Sequence, residues 1–176
     1  MSCFQLSSHS QNPSEESNHY PITEIPIPSN IVLEVGSIEI LPDDKIAVSS
    51  RRGDIYVIEG AYTDDPGDDK WTPWAVGLHE VLGLSWKDGW LYATQRPEVT
   101  RMKDTDGDLR ADIFESVSSG WGINGNYHEY AFGSRHDTEG NIWVVLCLTG
   151  SGGASSDFRG WCVRVLSLIH ISEPTR

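Results

Sequence analysis

The chain has 176 residues, enough to bury one core of ordinary size, and it holds no apolar run approaching the roughly 18–20 residues that a membrane-spanning helix needs. Its 13 basic against 26 acidic side chains leave a formal charge of −13, which repels phosphate backbones and anionic membrane surfaces and argues against nucleic acid as a partner. Its 3 cysteines, Cys3, Cys147 and Cys162, form no C-x-x-C arrangement, which excludes a disulfide scaffold, a zinc ribbon and covalent haem attachment. Cys147 and Cys162 are expected as small buried thiols, with a bridge between them the alternative.

Residues 1–19 are rich in Ser, Asn, Gln and His, with too little apolar content to offset the entropy of ordering, and are expected to be a disordered leader. They show no basic region followed by an apolar stretch, so no export signal is visible. The next stretch, YPITEIPIPSN, loses backbone donors at Pro21, Pro26 and Pro28 and is expected to run extended over a surface or a sheet edge, with folded structure starting near Ile31.

Beyond Ile31 no segment sustains a 3.6-residue apolar period, whereas alternating or β-branched runs recur: IVLEV, KIAVSS, DIYVIE, GLSW, WLYATQ, NIWVVLCL and WCVRVL. Turn residues punctuate them in LPDDK, KDGW and TEGN, so the fold class is all-β. The runs repeat as a group: IEILPDDKIAVSSRRGDIYVIE, then LGLSWKDGWLYATQRPEVTRM, then YAFGSRHDTEGNIWVVLCLTG continuing through FRGWCVRV. Matching Ile46 to Leu91 and Leu91 to Ile142 gives steps of about 45 and about 51 residues, the period of a four-stranded propeller blade. A propeller ring usually needs about four blades or more. Residues 20–166 are therefore expected to be the N-terminal part, about three four-stranded blades, of a larger ring: a partial β-propeller. Residues 167–176, SLIHISEPTR, resemble an in-frame translation of a sequencing adaptor and are set apart from the fold as a non-native tail.

The sharpest motif is DTDGDLRADIFE, where Asp104, Asp106, Asp108, Asp112 and Glu115 fall at positions 1, 3, 5, 9 and 12 of an EF-hand-like loop and Arg110, at position 7, offers its carbonyl. Alternate carboxylates on a tightly wound loop converge on one point, which suits Ca²⁺, a hard ion taking six to eight oxygens. The glycine expected at position 6 is Leu109, so the turn must be made differently or under strain. No flanking helix pattern exists, and the loop is expected between strands of adjacent blades, with a structural rather than catalytic ion. A solvated acidic turn is the alternative.

The segment GWGINGNYHEYAFGSRHDTEGNIW combines glycines that let backbone approach a ligand with Trp121, Tyr127 and Tyr130, and it carries His128 next to Glu129. Imidazole titrates near neutrality, so His128 is the candidate general base for a hydroxyl proton; a hydrogen-bonded packing histidine is the alternative. The same alternative applies to His79 beside Glu80, and His136, next to Asp137 in a turn, is expected to be exposed. Arg51, Arg52, Arg96 and Arg159 fall at equivalent places in the blades, facing either a central funnel or carboxylates and strand-end carbonyls between blades.

From about Tyr20 to Val165 the chain resembles the opening blades of the soluble PQQ-dependent glucose and sorbosone dehydrogenases, especially the large bacterial propeller dehydrogenases. The residues carrying the resemblance are EVGSIEILPDDKIAVSSRRGDIYVIE, GLHEVLGLSWKDGWLY, QRPEVTRMKDTDGDLRAD, and YHEYAFGSRHDTEGNIWV followed by FRGWCVRV. The resemblance implies a quinoprotein that oxidises a sugar or other small alcohol, with His128 at the position of the base that deprotonates the sugar C1 hydroxyl. It implies PQQ as cofactor, with its ligands on later blades, and a downstream cytochrome c domain or another electron acceptor as partner. It also implies a periplasmic or extracellular setting. After Gly133 the pattern departs, Ser134 to Glu139 standing where the family has a shorter Pro-Asp-Gly turn. The alternative reading is a non-catalytic, calcium-stabilised propeller that binds a glycan or protein. The isolated 176 residues, with exposed blade edges, are expected to be inactive and prone to aggregate.

Overall fold

A computed structural model of the chain describes residues 17–63, 67–123, 125, 128–147 and 158–166, and the backbone of 172–175. The strands form three four-stranded antiparallel sheets. The first holds β1 (Val35–Leu41), β2 (Lys45–Ser50), β3 (Ile55–Glu59) and β4 (Lys70–Ala75); the second holds β5 (Gly83–Lys87), β6 (Trp90–Thr94), β7 (Val99–Lys103) and β8 (Ile113–Ser118). The third holds β9 (Ala131–His136), β10 (Ile142–Leu146), β11 (Cys162–Val165) and β12 (Ser172–Thr175). Each sheet is an up-and-down meander in chain order, the form of a propeller blade. No helix among the described residues is long and apolar enough to cross a membrane.

Turn chemistry sets the hairpins. Lys87 pairs with Trp90 across Asp88 and Gly89, whose φ values of 50° and 80° are those of a two-residue type I′ turn. In the β9–β10 turn the Asp137 carboxylate accepts from the amides of Glu139 and Asn141 and from the Asn141 side chain, in place of a glycine-only solution.

The first strand of each sheet is innermost: β5 lies against β1 on one side and β9 on the other, so the three blades fan out as an arc of a β-propeller. Glycine permits this approach, because a Cβ on Gly36 would stand 2.0 Å from the Val81 carbonyl oxygen and one on Gly83 would stand 2.0 Å from that of Gly133. Side chains also stitch neighbouring blades together. Ser49 Oγ donates to the Val81 carbonyl at 3.0 Å, the Leu84 amide to Ser37 Oγ at 3.0 Å, and the buried Ser85 and Ser134 hydroxyls meet at 2.9 Å.

The core lies between blades. Ala47, Ile55 and Val57 of the first blade pack with Leu84, Leu91, Ala93 and Met102 of the second. Val99 of the second, with Tyr92 and Val117, packs with Ala131, Ile142, Val144, Val163 and Val165 of the third. Each fully buried Ile, Leu or Val contributes about 1.5–3 kcal/mol, so the interfaces rather than the isolated sheets stabilise the fold.

Several expectations are corrected. Of IVLEV only Val35 is in a strand: among the described residues Glu34 makes a single backbone bond, accepting from the Arg51 amide at 2.8 Å, and the first strand is VGSIEIL. The outer strands β4 and β8 escaped the periodicity reading. Pro73 interrupts the β4 run but is tolerated on an edge strand, and β8 is exposed over most of its length and shows no alternation. Ser134–His136 continue β9, and the turn falls at 137–140. The acidic loop joins β7 to β8 inside the second blade rather than linking adjacent blades, although the Ala111 amide donates to the Trp74 carbonyl of the first blade at 2.8 Å. Apart from these corrections, the backbone of residues 172–175 pairs with β11 as the fourth strand of the third sheet, which leaves the expectation of a non-native tail at 167–176 untested. An edge strand offers main-chain donors and acceptors to any extended segment, so side-chain pattern could not foretell this pairing.

The meander separates two ends of the arc. The β1–β2, β3–β4, β5–β6, β7–β8 and β9–β10 connections lie at one end. The β2–β3, β6–β7 and β10–β11 connections, together with the β4–β5 and β8–β9 crossovers between blades, lie at the other.

Candidate functional site

The crossover end carries a repeated charge pattern. Just ahead of each first strand stands a glutamate, Glu34, Glu80 or Glu129, and in the connection from second to third strand stands an arginine, Arg51, Arg96 or Arg159. Arg51 donates to Glu34 at 2.9 Å and to Glu80 at 3.1 Å, while Arg52 reaches the other oxygen of Glu34 at 3.1 Å. Arg96 donates to Glu80 at 2.9 Å and to the Glu129 carbonyl at 3.3 Å, and lies 5.5 Å from the Tyr130 ring centre. Arg159 donates to the Tyr130 and Gly122 carbonyls, each at 3.1 Å, with Nε 3.9 Å from the Glu129 carboxylate. Glu80 therefore bridges the first blade to the second, and Arg96 bridges the second to the third.

Side-chain exposure falls along this ladder, from 47% at Arg51 to 12% at Arg96 and 4% at Arg159, and the acid facing Arg159, Glu129, is wholly buried. Electrostatics follow burial. The guanidiniums of Arg52 and Arg51 hold the Glu34 carboxyl below its ordinary range, whereas burial pushes the Arg159 guanidinium down from its ordinary value against the pull of Glu129. Of the two sequence alternatives for the four arginines, the contacts are those of pairing with carboxylates and carbonyls.

His128 sits half-buried at this end, in the β8–β9 crossover, and its carbonyl accepts from the Tyr130 amide at 2.9 Å. Trp121, buried, fastens the same crossover by donating from Nε1 to the Arg96 carbonyl at 2.7 Å. Tyr127 lies outside the described residues. His79 is exposed in the β4–β5 crossover, where its amide donates to the Gln95 side chain at 2.5 Å. The arrangement holds a half-buried imidazole on a fastened turn, with its Nδ1 buried.

The other ionisable cluster lies at the hairpin end. Carboxylate oxygens of Asp104, Asp106 and Asp108 come within 4.8 Å of one another. Asp104 accepts from the Gly107 amide at 2.7 Å and the Leu109 amide at 2.9 Å, winding the loop around its own side chain. Leu109 takes φ 65°, so the left-handed turn that glycine usually makes at this loop position is made here by a leucine, at a steric cost of about 1–2 kcal/mol. Asp112 is turned onto Thr105, whose hydroxyl at 2.6 Å and amide at 2.7 Å hold its carboxyl below the ordinary range. Glu115 lies in β8 and pairs with Arg101 across the ladder at 2.7 Å. Arg110 is exposed in the loop. The structure thus brings three of the expected carboxylates together and engages Asp112 and Glu115 elsewhere.

His136 is corrected from exposed to part-buried: it ends β9 edge-on to Tyr92, ring centres 4.7 Å apart. Burial, reinforced by Lys87, pushes its imidazole down from its ordinary value, against Asp137, Asp88 and Glu39. Cys147 and Cys162 are part-buried and no disulfide joins them. The arginines of the ladder stand out in the sequence by their equivalent places in the blades, but their partners Glu34, Glu80 and Glu129 and the inner-strand glycines Gly36, Gly83 and Gly133 escaped the sequence reading; each recurs at or just ahead of a first strand, the signal that could have found them.

No protein-family model matches the chain. No curated protein matches it either. Its fold is similar to that of a crystal structure from Thermus thermophilus provisionally described as an oxidoreductase (glucose dehydrogenase), with a TM-score of 0.59 and 15% identity over 76% of this chain. The chain spans 44% of the length of that structure.

Proposed function

We propose that the chain forms part of a PQQ-dependent dehydrogenase of sugars or other small alcohols, with His128 as the base that takes the hydroxyl proton. One observation carries the reading: His128 lies among the crossovers of a blade arc whose fold is similar to that of a structure described as a glucose dehydrogenase. A base there would have its turn held by Arg96, Arg159 and Trp121 and would meet substrate from the solvent side. The described residues do not themselves fit PQQ, a tricarboxylate, because Arg51, Arg52, Arg96 and Arg159 are each engaged by carboxylates or carbonyls. No step is therefore routed through the quinone, whose ligands the sequence resemblance assigns to other blades.

Calcium is the second proposed cofactor. Asp104, Asp106 and Asp108 supply converging oxygens, and the Arg110 carbonyl and an Asp112-bound water would extend the set as in EF-hand loops. Its role is structural: the loop occupies the end of the arc opposite His128 and leans on the first blade through Ala111. The proposed setting is periplasmic or extracellular, where calcium is plentiful, with a cytochrome c domain or another acceptor as electron partner.

The paired arginines favour one competing reading, a calcium-stabilised propeller that binds a glycan or protein without turnover. Aldose-dependent reduction of an artificial acceptor, measured with PQQ and calcium each present or omitted, on this chain and on the full protein that contains it, separates the two. Turnover that needs PQQ and is lost in His128→Ala supports the dehydrogenase; a folded protein that binds sugar without turnover supports the binding module.

A further inference from the structure

The three ladder arginines occupy the same place in their blades but are not used alike. Arg51 and its neighbour Arg52 donate their side chains to carboxylates, Glu34 and Glu80, and remain about half exposed. Arg96 donates to the Glu80 carboxylate as well, but it and Arg159 also donate to main-chain carbonyls, and all three of those carbonyls belong to one segment: Gly122, Glu129 and Tyr130. That segment is the part of the β8–β9 crossover that contains His128. A crossover without strand pairing has little of its own to hold it, yet this one is held at Gly122, six residues before the histidine, and at Glu129 and Tyr130 directly after it.

We infer that Arg96 and Arg159 are positioning residues for His128, a two-guanidinium clamp that holds the crossover at Gly122, Glu129 and Tyr130 and so sets the place of the imidazole. The inference rests on the reading of His128 as the reactive group of this end. Three further contacts fit it. The wholly buried Glu129 carboxylate lies 3.9 Å from Arg159 and balances charge where two guanidiniums converge. The Tyr130 ring lies beneath Arg96, so the residue two after His128 is held by stacking as well as through its carbonyl. The Trp121 indole donates to the Arg96 carbonyl, tying the start of the crossover to the arginine that holds its end.

The clamp needs the shape of arginine as well as its charge. A guanidinium is a planar fork whose nitrogens donate in divergent directions, and Arg159 sends Nη1 to Tyr130 and Nη2 to Gly122 while Nε faces Glu129. A lysine keeps the positive charge but is a single point that cannot span the Gly122 and Tyr130 carbonyls. An arginine that served only to neutralise Glu129 would tolerate the exchange; a clamp would not.

The test is the imidazole C2–H cross-peak of His128 in proton–carbon correlation spectra of the intact chain at fixed pH, assigned by its loss in His128→Gln. Arg159→Lys and Arg96→Lys are compared with Arg51→Lys, the matched position in the first blade, and the His136 cross-peak at the opposite end reports the general state of the fold. The clamp predicts a shift or loss of the His128 cross-peak in Arg159→Lys and Arg96→Lys, with His136 unmoved and Arg51→Lys like wild type. An unmoved His128 cross-peak in both variants, or equal movement of His128 and His136, overturns it. Should Arg159→Lys unfold, the more exposed Arg96→Lys decides alone. Failure of the dehydrogenase reading stays distinguishable, because it is absence of turnover in a wild-type protein whose His128 cross-peak still responds to the two exchanges.

Discussion

Two residues one position apart dominate the expected acid response of the third blade. Asp137 accepts from the Asn141 side chain first, then from backbone amides and the Trp143 indole, and these bonds hold its carboxyl down at about 2. A carboxyl lowered in the folded state stabilises fully above its unfolded value, and the contribution is lost as pH falls toward about 2. His136 is lowered by burial, so the unfolded chain takes up its proton first; stability should fall as pH drops below the ordinary histidine value of about 6.5 and level off below the lowered folded value. Urea midpoints measured across this range should therefore show two declines. His136→Phe, which keeps an edge-on ring against Tyr92, should flatten the upper one and leave the lower one, and Asp137→Asn should leave the upper one and lessen the lower, to which the lowered carboxyls of Glu34 and Asp112 also contribute.

At the scale of elements, the inner strands and the acidic loop make separable demands. An added Cβ at Gly36 or Gly83 meets a backbone oxygen that cannot move without parting two first strands, whereas at Gly89 it meets nothing within 4 Å and only the left-handed φ of 80° opposes it. Gly36→Ala and Gly83→Ala should each cost about 3 kcal/mol or more, against about 1–2 for Gly89→Ala, read from denaturant midpoints at unchanged slope. The loop is tested with calcium itself. If the ion sits on Asp104, Asp106 and Asp108, calcium should raise the melting temperature and a chelator should reverse the rise, and Asp106→Asn should abolish it. Glu115→Gln separates roles: with Glu115 engaged by Arg101, the calcium response should persist while the unliganded protein loses a surface pair worth about 0.2–1 kcal/mol. Loss of the response in Glu115→Gln would instead mean that this side chain leaves Arg101 to bind the ion.

Across the whole molecule the arc leaves apolar surface uncovered. Along the inner edge strand β1, Val35, Ile38 and Ile40 are 55%, 53% and 66% exposed, although the interfaces between blades are closely packed. Exposed apolar strand surface of this kind promotes association. The isolated chain should self-associate as concentration rises in sedimentation experiments, despite its charge of −13, and Ile38→Lys with Ile40→Lys should suppress this without lowering the melting temperature. Unchanged association in the double variant would place the contact on another surface.

Local pattern carried the strands, their turns and their repeat, because alternation and turn residues act over a few neighbours and survive in any tertiary setting. KIAVSS, GLSW and WLYATQ became β2, β5 and β6 almost to the residue. It also carried the acidic loop and drew attention to His128, since both are dense in chemistry over a short span. Only the tertiary structure decided how these parts face one another. The antiparallel order of each blade sends the acidic loop and His128 to opposite ends, a separation invisible in residues only 16 positions apart at Asp112 and His128. It likewise brings Arg51 to Glu80 and Arg159 to Gly122, because partners 29 and 37 residues apart meet only when the blades stack. Pairing of that range depends on the angle between sheets, which no local pattern encodes.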